Sequence, residues 1–196
     1  MLFDTAAEWH AALNDLPPAL LLASVIFDWL GTATKRDSLK AAGFWALVAG
    51  VVGAAFAVAS GLRAEGSIEH GETVHRVMEQ HETWAIAVSV AFALLAAWRI
   101  WRKGVLGPQE RPTYLVAATV GALGIIYVAH LGGTIVFRHA GGVPTPALQQ
   151  ALKERTQEHE HAPGEEPEQA APADTAAAEA DTGHTHPPGT PPHQHD

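Results

Sequence analysis

The stretch HGETVHRVMEQHETWA, residues 70–85, sets three histidines and three glutamates beside an uncharged run, IAVSVAFALLAAW. Imidazoles and carboxylates at this density can ligate a transition metal, hold a haem iron or pass protons. Helical spacing sorts them. Val74, Val77, Met78, His81, Trp84 and Val88 recur at three- and four-residue steps and share an apolar face. Glu72, His75, Arg76, Glu79 and Glu82 fall toward the other side. His81 is therefore the inward candidate, and the helix carrying it is expected to begin near Thr73.

A second imidazole, His130, lies inside the last apolar segment and shares a helical face with Leu123, Tyr127, Thr134 and Phe137. An ionisable group at that depth is costly to bury and points to function. His81 and His130, on antiparallel helices, are expected to reach similar depth. Two neutral imidazoles facing each other across a helix bundle suit a b-type haem, haem b, held by both. Gly132 and Gly133 would leave room for a flat macrocycle, and Arg63 and Arg138 would meet its propionates at the rim.

Other chemistries compete. His130 can simply hydrogen-bond a carbonyl or Tyr127, and His81 can be an interfacial polar group. Glu72-Thr-Val-His75 matches the Glu-x-x-His pairing of two-metal bundles, but no second pair stands on another span. A divalent transition metal is the alternative cofactor, with His10, His75, His139 and Glu72 as candidate ligands near the membrane. The HTH pair His184 and His186 joins them in the tail, where histidines two apart bind such metals weakly. Asp28, near the far end of the first span, can line a proton path or merely reach water.

The elements that position these groups follow from composition. The chain has 196 residues and a formal net charge of −9. Nine of the thirteen prolines fall within residues 144–196, which hold no Ile, Phe, Trp or Tyr. Such a segment cannot bury enough apolar surface to offset its ordering entropy, so 144–196 is expected to be a disordered His-, Pro- and acid-rich tail. Residues 1–143 form the other domain. Within it, Leu13–Leu30, Ala41–Leu62, Trp84–Trp101 and Thr113–Phe137 are long and apolar enough to cross a bilayer. The fold class is all-α, a four-helix transmembrane bundle. Asn14 and Asp15 with Pro17 and Pro18 mark the start of the first span. Gly53, Ala57 and Gly61 give the second a small face for close packing. The six tryptophans fall near span ends, as interfacial anchors do.

Lys35, Arg36 and Lys40 in the first loop, and Arg99, Arg102, Lys103 and Arg111 around the third, place those loops in the cytoplasm and both termini outside. Asp4 and Glu8 stand where a signal peptide would be basic, so no cleaved leader is expected. All twelve histidines then lie on the outward side. The absence of cysteine excludes disulfides, thiolate metal sites and covalently attached haem. No basic patch or recognition motif suggests nucleic acid. No nucleophile triad or phosphate loop suggests a hydrolase.

HAALNDLPPALLLASVIFDWLG and AHLGGTIVFRHAGGV resemble the opening and closing signatures of the bacterial membrane family named domain of unknown function 2231. The matching positions are His10, Pro17, Asp28, Gly132, Gly133, Phe137, His139 and Val143. Asp15 stands where that family usually has a second opening His, and Ala140 where it usually has Gly. The resemblance covers about residues 10–143 and implies a four-span protein of the bacterial inner (cytoplasmic) membrane, without naming a reaction. The expected function is an electron-transfer module near the outward face, with the lipid bilayer and a quinol or periplasmic redox protein as partners. Metal handling and a cofactor-free structural subunit are the alternatives.

Overall fold

The computed structural model describes residues 4–68 and 71–157. Met1–Glu154 cluster as one compact unit; of the second, Arg155–Asp196, only the first three residues are described. The described residues form six helices: α1 (Ala6–Asn14), α2 (Leu16–Ala33), α3 (Asp37–Glu65), α4 (Glu72–Trp101), α5 (Glu110–His139) and α6 (Thr145–Gln157). Four spans, Ala6–Ala33, Asp37–Glu65, Glu72–Trp101 and Glu110–His139, are long and apolar enough to cross a membrane. They run further than the apolar stretches alone, since a helix continues through polar residues once its turns hydrogen-bond.

The first span is two helices. Thr5 accepts from the Glu8 amide at 3.2 Å, while the Glu8 carboxylate accepts from the Asp4 and Thr5 amides. This capping box starts α1. Pro17 and Pro18 lack the N–H groups that would continue α1, so α2 restarts at Leu16. Asp15 takes the N-cap position without a side-chain cap bond.

Helices α2 to α5 each pack on the next, and α5 closes back on α2; α1 rests on α3. Small residues set the spacing. A Cβ on Gly50 would lie 2.7 Å from Leu21, and one on Gly53 would lie 3.0 Å from Pro17. The close face expected on α3 is thus real, and its partners are α2 and α1. On α5, a Cβ on Gly121 would strike the buried Phe92 ring at 2.8 Å. Leu21, Val25, Leu47, Phe92, Leu95, Leu115 and Ile125 fill the core. Large apolar side chains such as Leu94 (66 % exposed) and Val120 (64 %) cover the outside, as a lipid-facing surface requires. Trp9, Trp29, Trp45, Trp84 and Trp101 are exposed among them. Trp98 instead turns inward, edge-on to Tyr114 with ring centroids 6.2 Å apart.

The expectation of a disordered chain from residue 144 gives way to α6 over Thr145–Gln157. Its Ala, Leu, Gln, Lys, Glu and Arg content favours helix locally, and Gln150 donates to Glu154 one turn on. The rest of the tail, with His184 and His186, lies outside the described residues.

Ala140 ends α5 at φ 52°, ψ 29°, a left-handed conformation that glycine adopts freely and a Cβ opposes. Its N–H donates to the Val136 carbonyl at 3.0 Å, so the conformation is built into the cap. Ala140→Gly is expected to stabilise the fold by about 0.5–1 kcal/mol. Unfolding of the detergent-solubilised protein checks this, while Ala140→Val should destabilise.

Candidate functional site

Two polar clusters inside the bundle hold the chemistry, one near each end. At the end carrying α1, the start of α4 and the end of α5, a cavity of about 770 Å³ opens among α1–α5. Most of its wall is apolar: Pro17, Leu21, Val58, Val88, Ile125 and Val136 contribute. Two imidazoles line it, His10 from α1 and His81 from α4, both half-buried.

Each ring is anchored on a neighbouring helix. His10 Nδ1 lies 3.1 Å from the Ala57 carbonyl oxygen of α3 and 3.2 Å from Ser60 Oγ, which itself donates to that carbonyl at 2.9 Å. His81 Nδ1 lies 3.1 Å from the Val128 carbonyl oxygen of α5. A carbonyl oxygen only accepts, so Nδ1 carries the proton in each ring. In the neutral imidazole Nε2 is then a bare lone pair. Among the described residues no hydrogen bond engages either Nε2.

Glycines make this seating possible. A Cβ on Gly61 would approach His10 Cε1 at 3.0 Å, and one on Gly132 would approach His81 Cε1 at 3.2 Å. Gly132 therefore makes room for the His81 ring itself rather than for a macrocycle. Gly133 also lines the cavity.

His81 is inward as its spacing predicts, but His130 does not face it. The α5 positions lining the cavity are Ile125, Val128, Ala129, Gly132, Gly133, Ile135, Val136 and Phe137, and most share one helical face. At 100° per residue His130 sits roughly 130° around the helix from that face's centre. It is exposed on the bundle's outer side, so the expected His81–His130 clamp is not formed. Arg63 and Arg138 are exposed and absent from the lining, so neither waits for a propionate. The charged lining consists of Glu8, Asp15, Glu65 and Glu82. Two imidazole nitrogens suit a haem iron; an acidic rim without Lys or Arg does not suit two carboxylate tails.

The expected metal ligands stay dispersed. His75 Nε2 faces Glu79 one turn away at 3.6 Å, Glu72 is exposed, and His139 ends α5 outside the cavity lining. Among the described residues no three His, Asp or Glu side chains gather to hold a metal ion.

The second cluster lies toward the opposite end, where the Lys- and Arg-rich turns are. Arg99 of α4, 3 % exposed, donates from Nη1 to Asp28 Oδ2 of α2 at 2.6 Å and to the Tyr114 hydroxyl of α5 at 3.3 Å. Its Nη2 donates to the Lys40 carbonyl of α3 at 3.1 Å. Tyr114 donates to the same Asp28 oxygen at 3.0 Å. The guanidinium also lies over the Phe44 and Tyr114 rings, 5.4 and 5.2 Å from their centroids. Gly43 is needed beside this cluster, since a Cβ there would come within 2.5 Å of Asp28 Oδ1. Asp28, 5 % exposed, is thus engaged by Arg99 and Tyr114 through one carboxylate oxygen. Its partner Arg99 reads in the sequence as a loop-flanking cation. Yet Phe92, Leu95, Ala96 and Arg99 form one buried stripe, as do Leu21, Val25 and Asp28. Continuing each apolar stripe by one further turn finds the pair.

Four antiparallel spans, a lipophilic cavity near one end and a buried ion pair toward the other define a polytopic α-helical membrane protein. Residues 7–145 match the family described as Predicted membrane protein (DUF2231), and the chain belongs to that family. No curated protein and no solved structure matches it.

Removing one member of a buried ion pair strands the other. Asp28→Ala is expected to lower stability by about 3–5 kcal/mol. The double substitution Asp28→Leu with Arg99→Met should cost less than Asp28→Ala alone. Reversible unfolding in mixed detergent micelles checks the order of the two variants.

Proposed function

We propose that the His10–His81 cavity binds a lipophilic para-quinol, and that the protein serves an electron-transfer assembly at the outward face of the membrane. The observation that supports this best is the pair of fixed tautomers: two imidazoles from different helices line one largely apolar cavity, each with a bare Nε2. A bare imidazole nitrogen accepts a hydrogen bond from a hydroxyl, which a quinol supplies and a quinone lacks. The cavity's size falls in the ordinary range for small-molecule sites, roughly 300–1,000 Å³. Its lining includes Ile86, Leu62 and Val136, which are also exposed on the lipid-facing surface, so an isoprenoid tail has a lateral way out. The acidic rim repels an anionic guest but accepts a neutral one.

Oxidation of a quinol releases two protons and two electrons. Glu65 and Glu82 stand at the rim to receive protons, and the electrons pass to a redox protein docked on that face. A b-type haem on His10 and His81 keeps the nitrogen donors but meets uncompensated carboxylates, so it is the weaker occupant. The metal reading rests on His184 and His186, beyond the described residues.

Decylubiquinol titrated under reducing conditions into the purified protein tests this through quenching of tryptophan fluorescence. Saturable binding is expected, weakened about five- to tenfold by His10→Phe or His81→Phe, the loss of one hydrogen bond worth roughly 1 kcal/mol. His130→Phe should leave it unchanged. Absence of saturable binding would contradict the proposal. So would a reduced-minus-oxidised haem spectrum that disappears in the His10 and His81 variants.

A further inference from the structure

The buried ion pair does not account for all the charge around it. Beside it lies a second cavity, of about 300 Å³, between the ends of α2 and α4, the start of α3 and the 102–109 turn into α5. Four cationic side chains line it: Lys40, Arg99, Lys103 and Arg111. Only two carboxylates do, Asp28 and Asp37, and both are committed. Asp28 accepts from Arg99 and Tyr114, and Asp37 accepts from Lys40 at 2.9 Å. Arg111 donates from Nη2 to the neutral Leu106 carbonyl at 3.0 Å and forms no ion pair of its own among the described residues. Lys103 has no carboxylate partner among the described residues. Four cations thus line one cavity against two carboxylates, and Lys103 and Arg111 stand outside the two ion pairs.

The backbone holds this arrangement in place. Lys103 and Gly104 take φ values of 54° and 81°, so the chain reverses sharply after α4. The Gly104 amide closes the turn on the Arg99 carbonyl at 2.7 Å, and the glycine packs near the Phe44 ring. The other wall is apolar, with Phe44, Val105, Leu106 and Leu115. Val105 is 71 % exposed, so the apolar wall continues onto the surface of the turn between α4 and α5.

We infer that this cavity binds a phosphate-bearing anion, held by Lys103 and Arg111. Lysine and arginine flanking a pocket supply the charge and the donors that a phosphate's oxygens accept. Two sources offer that chemistry: the headgroup of an anionic phospholipid, whose acyl chains would lie along Val105, and free inorganic phosphate. This site is independent of the quinol cavity, which lies nearer the other end of the bundle and shares no lining residue with it.

The experiment uses the full chain, delipidated in maltoside detergent. Short-chain phosphatidylglycerol, short-chain phosphatidylcholine and inorganic phosphate are titrated separately, and affinity is read from the shift in thermal unfolding. Phosphatidylglycerol is expected to bind at least fivefold more tightly than phosphatidylcholine. The double variant Lys103→Ala with Arg111→Ala should weaken it tenfold or more, while Arg63→Ala changes nothing. Lys103→Gln, at an exposed side chain, should move affinity the same way and covers a failure of the double variant to fold. Binding of inorganic phosphate with the same dependence on Lys103 and Arg111 identifies the free anion as the ligand; its absence identifies the lipid. Equal affinity for the two lipids, with no response to phosphate, overturns the inference, as does unchanged binding in both Lys103 variants.

Discussion

A single guanidinium ties the bundle together. Arg99 projects from α4 into the interior of the bundle, where it is 3 % exposed, and an unpartnered charge buried so deeply costs several kcal/mol. Its partners come from every other span: Asp28 from α2, the Lys40 carbonyl from α3 and the Tyr114 hydroxyl from α5. Sliding any one of these helices by a turn would break a bond that nothing else in that region replaces. Apolar packing between helices in a bilayer discriminates register weakly, because lipid tails are as apolar as the helices themselves. A shared polar centre discriminates strongly. The glycines follow from it: Gly43 lets α3 pass close to Asp28, and Gly50 and Gly53 keep α3 against α2 along its length.

With register set near one end, helices of matched length bring particular residues together near the other. The same rule of polar satisfaction operates there with neutral groups. His10 and His81 each spend one nitrogen on a carbonyl of a neighbouring helix, which fixes the ring and leaves the second nitrogen without a partner among the described residues. These bonds span 47 residues of sequence in each case, so they also pin α1 to α3 and α4 to α5. The two clusters differ in purpose as they differ in chemistry. The ion pair spends both Arg99 Nη groups on protein acceptors and leaves only its buried Nε without a partner, whereas the imidazoles keep an unspent acceptor beside a cavity large enough for a guest.

The architecture was legible in the sequence because four long apolar runs separated by charged turns admit few other arrangements. His81 was legible too, since Val74, Val77, Met78 and Val88 mark its face at helical spacing. His130 was misassigned for a physical reason. Its companions Leu123, Tyr127 and Phe137 are bulky, and in a water-soluble helix bulk marks the core. In a bilayer the relation inverts: small residues pack inside and bulky ones meet lipid. Gly121, Ile125, Val128 and Gly132 mark the inner face of α5, and Leu123, Tyr127 and Phe137 are exposed. His10 was harder to place. Its role depends on the break at Asp15 that lays α1 across α3, and a contact from residue 10 to residue 57 leaves no trace in local spacing. Ala140 shows the opposite case. The sequence pattern led to an expectation of glycine there, and the left-handed backbone at φ 52° supplies the physical reason for it.

The central claim is that His10 and His81 share one cavity with their Nδ1 atoms tied down and their Nε2 atoms free. Nitrogen-15 NMR of histidine-labelled protein reads tautomer and hydrogen bonding ring by ring, with assignments from His10→Phe and His81→Phe. The expected result is an Nδ1–H tautomer for both rings, with Nε2 resonances that move together when decylubiquinol is added while His130 stays still. An Nε2–H tautomer at either ring, or a response at His130 in place of His10, would contradict it.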